Sequence, residues 1–121
     1  MKNKIVDSHC HLNFDDFKND LDEIISHARK NDVEYMLSIS VDFENFENIH
    51  KISKRYKNVW CSTGVHPNNV PKDFKKDEIN LLRKQLEQNL SKKKVIGIGE
   101  TGLDFFRGLA NKNNQIEYFK N

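Results

Sequence analysis

Short apolar runs alternate with longer segments of helical period, and this alternation constrains the fold more than any other feature of the chain. The runs are Lys4 to Ser8, Tyr35 to Val41, Val59 to Thr63 and Val95 to Glu100. Between the first two, Phe17, Leu21, Ile24, Ile25 and Ala28 paint one helical stripe, with Asp15 or Asp16 placed to cap its start. A second stripe runs through Phe46, Ile49, Ile52, Ser53 and Tyr56, and a third through Ile79, Leu82, Leu86 and Leu90. Ile116 and Phe119 begin a fourth. Each connection can carry a helix back across a sheet, the condition that parallel pairing imposes. The sequence predicts an α/β fold of four parallel strands with intervening helices.

With 121 residues, 36% of them hydrophobic, the chain is the size of one modest domain. A net charge of +2 is too mild to mark a dedicated nucleic-acid surface, and it neither requires nor excludes a phosphate-bearing substrate. The run Lys92-Lys93-Lys94 reads as a solvated loop before a strand. The start, MKNKIVDSHCH, lacks the apolar core of a signal peptide, and no run of about 18 apolar residues offers a membrane span. A cytoplasmic protein without membrane contact is the expectation. Cys10 and Cys61 show no C-x-x-C spacing and are expected to be reduced and packed.

The residues that could carry chemistry stand at strand ends. In DSHCHL, His9 and His11 are two apart, so an extended backbone projects both imidazoles to one face and Cys10 to the other. Two imidazoles suit a divalent ion, and Asp7 or Ser8 could orient them; a polar strand end without a metal is the competing reading. Strand three leads into TGVHPNNV, where His66 is either a turn residue fixed beside Pro67 or part of a site. Strand four leads into IGIGETGLDFF, where Glu100 is either a loop ion-pair partner or a ligand. Loops after the carboxyl ends of parallel strands gather at one face, so His9, His11, His66 and Glu100 are expected to converge.

Gly97, Gly99 and Gly102 suit close packing or a tight strand exit. They do not form a dinucleotide fingerprint, because G-x-G lies inside the strand and no third glycine opens a helix. Arg107 could fork onto a substrate phosphate or pair with Asp104.

DSHCHL, TGVHPNNV and IGIGETGLDFF, in that order, resemble the TatD family of metal-dependent deoxyribonucleases, among the amidohydrolase-like metallohydrolases. The resemblance covers the whole chain, which is similar to the amino-terminal half of such a protein. It implies half of a (β/α)8 barrel, with residues 1–121 as a partial domain. It also implies one or two divalent ions, Mg, Mn or Zn, held by His9, His11 and Glu100, with Glu100 in a catalytic role and able to bridge two ions. His66 would contact substrate or phosphate, with Arg107 as a second candidate, and Gln115 and Phe119 resemble the helix after the G-L-D loop. Phe105-Phe106 departs from the pattern where tyrosine is common.

The family draws two further histidines and an aspartate from the second half of the barrel. The activity implied is metal-assisted hydrolysis of DNA, single-stranded or from 3′ ends, with negligible turnover by this chain alone. A related hydrolase of small esters or amides, a non-catalytic half-barrel and a subunit completed by a second polypeptide are the rival readings. Strands one and four are expected to leave open edges that favour self-association or a complementing half.

Overall fold

The computed structural model describes residues 3–106 and 111–121. The chain alternates β1 (Ile5–Cys10), α1 (Leu21–Lys30), β2 (Val33–Ser38), α2 (Phe46–Arg55), β3 (Val59–Thr63), α3 (Ile79–Leu90), β4 (Val95–Ile98) and α4 (Lys112–Lys120). The strands form one sheet in the order β1-β2-β3-β4, every pair parallel. Four parallel strands with helices between them are what the alternating periods require, and β3 has the bounds expected from its apolar run.

The other boundaries differ for physical reasons. β1 extends to Cys10, whose carbonyl accepts from Ile39 N–H at 2.8 Å, so His9 lies inside the strand. β2 starts at Val33 and stops at Ser38, because the following backbone turns to serve other partners: Ser40 and Val41 carbonyls accept from Glu100 and His66. β4 ends at Ile98, where Gly99 turns the chain at φ 151°. Asp15 and Asp16 do not cap α1; they lie in a separate 3-10 turn, Asp15–Phe17, and the helix starts after Asp20 without a side-chain cap. Phe17 is thereby detached from the helical stripe counted from it.

Two apolar clusters hold the helices to the sheet. Leu12, Ile25, Met36 and Val59 form one, with Cys10 packed against it, and Phe46, Ile49 and Cys61 form the other, with Val95 alongside. Complete burial of a side chain such as Ile49 contributes roughly 1.5–3 kcal/mol. Both cysteines are free, and burial pushes the Cys10 thiol up to about 12 and raises that of Cys61. Cys10 faces the helices rather than the imidazoles, and neither thiol is poised as a nucleophile.

Lys94 is not the solvated residue that its basic run suggests. Its Nζ donates to the carbonyls of Tyr56, Lys57 and Val59 at 3.2, 2.7 and 2.9 Å and lies 4.6 Å from the Trp60 ring centroid. Lys92 pairs with Glu47 at 3.0 Å. The run therefore ties the end of α2 and the start of β3 to the loop before β4.

Among the described residues only one side of β1 and of β4 is paired, and large apolar residues on these edge strands stand open, with Val6 60% and Ile96 58% exposed. Among the described residues no helix is long and apolar enough to cross a membrane.

Candidate metal centre

The three segments expected to meet do meet, at the carboxyl ends of the strands. His9 comes from the end of β1 and His11 from just beyond it, with ring centroids 5.1 Å apart at 78°. The His11 ring stacks on Phe14 at 4.7 Å, and its Nδ1 lies 3.1 Å from the carbonyl of Ile39. A carbonyl can only accept, so Nδ1 carries the proton and the Nε2 lone pair is left free, as metal-binding histidines require. Asp7 does not orient an imidazole: its Oδ1 accepts from the backbone N–H of His9 at 3.1 Å.

Glu100 reaches the histidines by a backbone path that glycine makes possible. A Cβ on Gly64 would lie 2.8 Å from the Gly99 backbone, so the ends of β3 and β4 can touch only without one. There Gly99 N–H donates to Thr63 at 2.8 Å, and Ser62 Oγ donates to the Gly99 carbonyl at 2.5 Å. Glu100 N–H then donates to the Ser40 carbonyl at 2.6 Å, crossing over the end of β3 to the segment after β2. The carboxylate is thus carried back toward β1. The Gly99–Glu100 peptide is cis.

The result is a compact donor set. Glu100 Oε2 lies 3.5 Å from His9 Nε2 and 4.0 Å from His11 Nε2, and one ligand atom from each of the three lies within 4.8 Å of the others. Donors sharing one ion at about 2.0–2.2 Å sit roughly 3–4 Å apart, so small side-chain rotations suffice. Two neutral imidazoles and one carboxylate form a donor set that suits a divalent ion, and the residues fit.

His66 is brought to the same cleft, of about 410 Å³, along with Asn68 and Asn69. Its Nε2 lies 3.4 Å from the other oxygen of Glu100, Oε1, while its Nδ1 accepts from Asn68 N–H at 3.1 Å and so caps the 3-10 turn Pro67–Asn69. His66 is thus a turn residue whose ring also lines the cleft. Arg107 lies outside the described residues, and its pairing with Asp104 with it. Within them Asp104 accepts from Asn68 Nδ2 and from Phe106 N–H, each at 3.0 Å.

Asn68 and Asn69 also line this cleft, and sequence reasoning missed both. The only signal was the polar pair after His66-Pro67, a pattern that loops show for many reasons.

The TatD related DNase family model matches residues 6–121. The chain is 35% identical over 119 residues to a protein of Buchnera aphidicola named an uncharacterized metal-dependent hydrolase, covering 96% of this chain and 43% of that one. It is 34% identical over 120 residues to human deoxyribonuclease TATDN3, covering 93% and 43%. The structure of YjjV, a TatD homologue of Escherichia coli, superposes with a TM-score of 0.80 at 24% identity, over 95% of this chain and 43% of its own. That of a TatD family hydrolase from Entamoeba histolytica gives 0.79 at 23%, over 99% and 44%. The chain spans under half the length of these relatives, and its four strands correspond to half of their (β/α)8 barrel. With its metal-type donor set standing where that barrel gathers its loops, the chain belongs to the TatD related DNase family of metal-dependent hydrolases.

Proposed function

We propose that this chain is the half of a TatD-type deoxyribonuclease that carries His9, His11 and Glu100 as ligands of one or two divalent ions. The observation that carries this reading is the meeting of these three donors from opposite edges of the sheet. Mg, Mn and Zn all accept such donors, and the name of human TATDN3 supports DNA as the substrate.

When bound, the ion would supply Lewis acidity to a phosphoryl oxygen and lower the pKa of a water. The chain's own part is to hold donors in place. His11 is fixed by Ile39 and Phe14, so its Nε2 stays directed, and the Ser40 bond fixes the backbone of Glu100. Glu100, with one oxygen toward the histidines and the other toward His66, would hold the ion or ions through its carboxylate. The cleft is open, which suits a phosphodiester strand entering from solvent, in the cytoplasm on this reading. Edge strands β1 and β4 would be covered by the complementing half of the barrel, with self-association as the outcome in its absence.

The test is hydrolysis of single-stranded DNA, with Mg2+, Mn2+ or Zn2+, by a polypeptide carrying this chain and a complementary second half. Release of nucleotides from a 3′ end, abolished by Glu100→Gln, supports the proposal. Cleavage of small esters or amides without any DNA cleavage, in a folded and metal-loaded protein, overturns it. This chain alone is expected to bind metal weakly and to turn over negligibly.

A further inference from the structure

We propose that His66 is a positioning residue, which acts on Oε1 of Glu100 and thereby sets the rotation at which Oε2 faces His9 and His11. The inference rests on the metal-centre reading above and assigns His66 a role other than direct phosphate contact.

The proton inventory of the ring comes first. A backbone N–H can only donate, so the 3.1 Å bond from Asn68 N–H makes His66 Nδ1 an acceptor. In a neutral ring the proton then resides on Nε2, and an imidazolium could not keep this bond. His66 therefore turns an N–H toward the cleft, where His11, bonded to a carbonyl through Nδ1, turns a lone pair. One ring is prepared to bind a cation and the other to hold an acceptor.

The acceptor at hand is Glu100. Its two oxygens are divided: Oε1 is 3.4 Å from His66 Nε2, and Oε2 is 3.5 and 4.0 Å from the Nε2 atoms of His9 and His11. The His66 contact is longer than the roughly 2.7–3.2 Å of a well-formed N–H···O bond, and contacts of this kind tighten as a site is loaded. An N–H on one carboxylate oxygen selects which oxygen remains for the cation, as polar partners behind a ligand commonly do.

The ring is itself held from behind. The backbone N–H of His66 donates to the Val41 carbonyl at 2.8 Å, and Asn69 Nδ2 donates to the same carbonyl at 3.0 Å. Asn68 Nδ2 donates to Asp104 at 3.0 Å. The backbone of Asp104 exchanges two bonds with the buried amide of Gln115, its N–H donating to Oε1 at 2.9 Å and its carbonyl accepting from Nε2 at 3.0 Å. A hydrogen-bonded chain thus runs from α4 to the turn that carries His66, and a ring held this firmly can orient a carboxylate.

Long-range 1H–15N spectra of the histidine-labelled chain read the tautomers directly. The expected result at pH 8 is His66 protonated at Nε2 and His11 at Nδ1, with the His66 proton retained after Zn2+ is added. Calorimetric Zn2+ titration should show about 10-fold weaker binding in His66→Ala. His66→Gln, with an amide N–H for the same oxygen, should recover most of the loss. The spectra need no variant, and the glutamine variant covers an alanine variant that fails to fold.

Protonation of His66 at Nδ1, loss of its Nε2 proton to Zn2+, or unchanged Zn2+ affinity in His66→Ala overturns the assignment. Absence of Zn2+ binding by the unsubstituted chain is a different result: it overturns the metal-centre reading, and the assignment falls with it.

Discussion

The backbone N–H of Glu100 donates to the carbonyl of Ser40 across 2.6 Å. The first residues after β4 therefore bond to the segment after β2, passing over the end of β3. In a sheet ordered β1-β2-β3-β4, this is how a carboxylate from the fourth strand comes within 3.5 Å of an imidazole from the first. The path depends on a close approach of Gly64 and Gly99, so a residue with no functional group controls the geometry of the donors.

Gly64→Ala tests that dependence. The added Cβ would lie 2.8 Å from Gly99 backbone atoms, which cannot rotate away as a side chain would. We expect a loss of about 1–3 kcal/mol in urea unfolding, the usual cost of overpacking. Divalent-metal affinity in the folded fraction should fall as well, because relief of the clash moves Glu100. Unchanged stability and affinity would show that the two loops can separate freely.

Much of this was legible in the sequence, for reasons that differ by element. The apolar runs report strands because each strand sends at least one residue into the clusters beneath the helices, and β3, buried most completely, kept its expected bounds. The strand ends were less legible: residues 39–41 look like strand but turn their carbonyls to His11, Glu100 and His66 in turn, a tertiary demand that local pattern does not encode. His9, His11 and Glu100 could be named because H-x-H and a carboxylate after a strand carry their own chemistry. The links Asn68–Asp104–Gln115 could not, since an amide reads alike whether it faces solvent or completes a buried bond. Lys94 was misread for a similar reason: composition shows the charge of a lysine and not the carbonyls around it.

Lys94→Met should reveal that misread role. The substitution keeps most of the stem over Trp60 but removes the donor for three carbonyls, two of them partly buried. A loss of about 1–3 kcal/mol is expected in chemical denaturation. The same substitution at Lys93 should change stability by less than about 0.5 kcal/mol, as at most surface sites. Equal effects at the two positions would contradict the bracing role.

Alkaline pH probes the packing beneath α4. Tyr118 lines a cavity of about 340 Å³ with Leu82, Leu86 and Ile98, its ring centroid 5.2 Å from that of Phe74. Burial pushes its phenol up to about 12. The folded value lies above the unfolded one, so Tyr118's contribution to stability is complete below about pH 10 and is lost as pH rises toward 12. Urea midpoints measured from pH 9 to pH 11.5 should therefore decline, and the decline should be shallower in Tyr118→Phe. Parallel declines would place the phenol in solvent.

The central claim is that His9, His11 and Glu100 hold a divalent ion together, and Co2+ titration followed by visible absorption tests it most directly. The account predicts saturable binding with bands of a nitrogen-coordinated ion, weakened at least about 10-fold in His9→Ala, His11→Ala and Glu100→Gln alike, with each variant folded. Absence of saturable binding, or binding that survives all three substitutions, would contradict it.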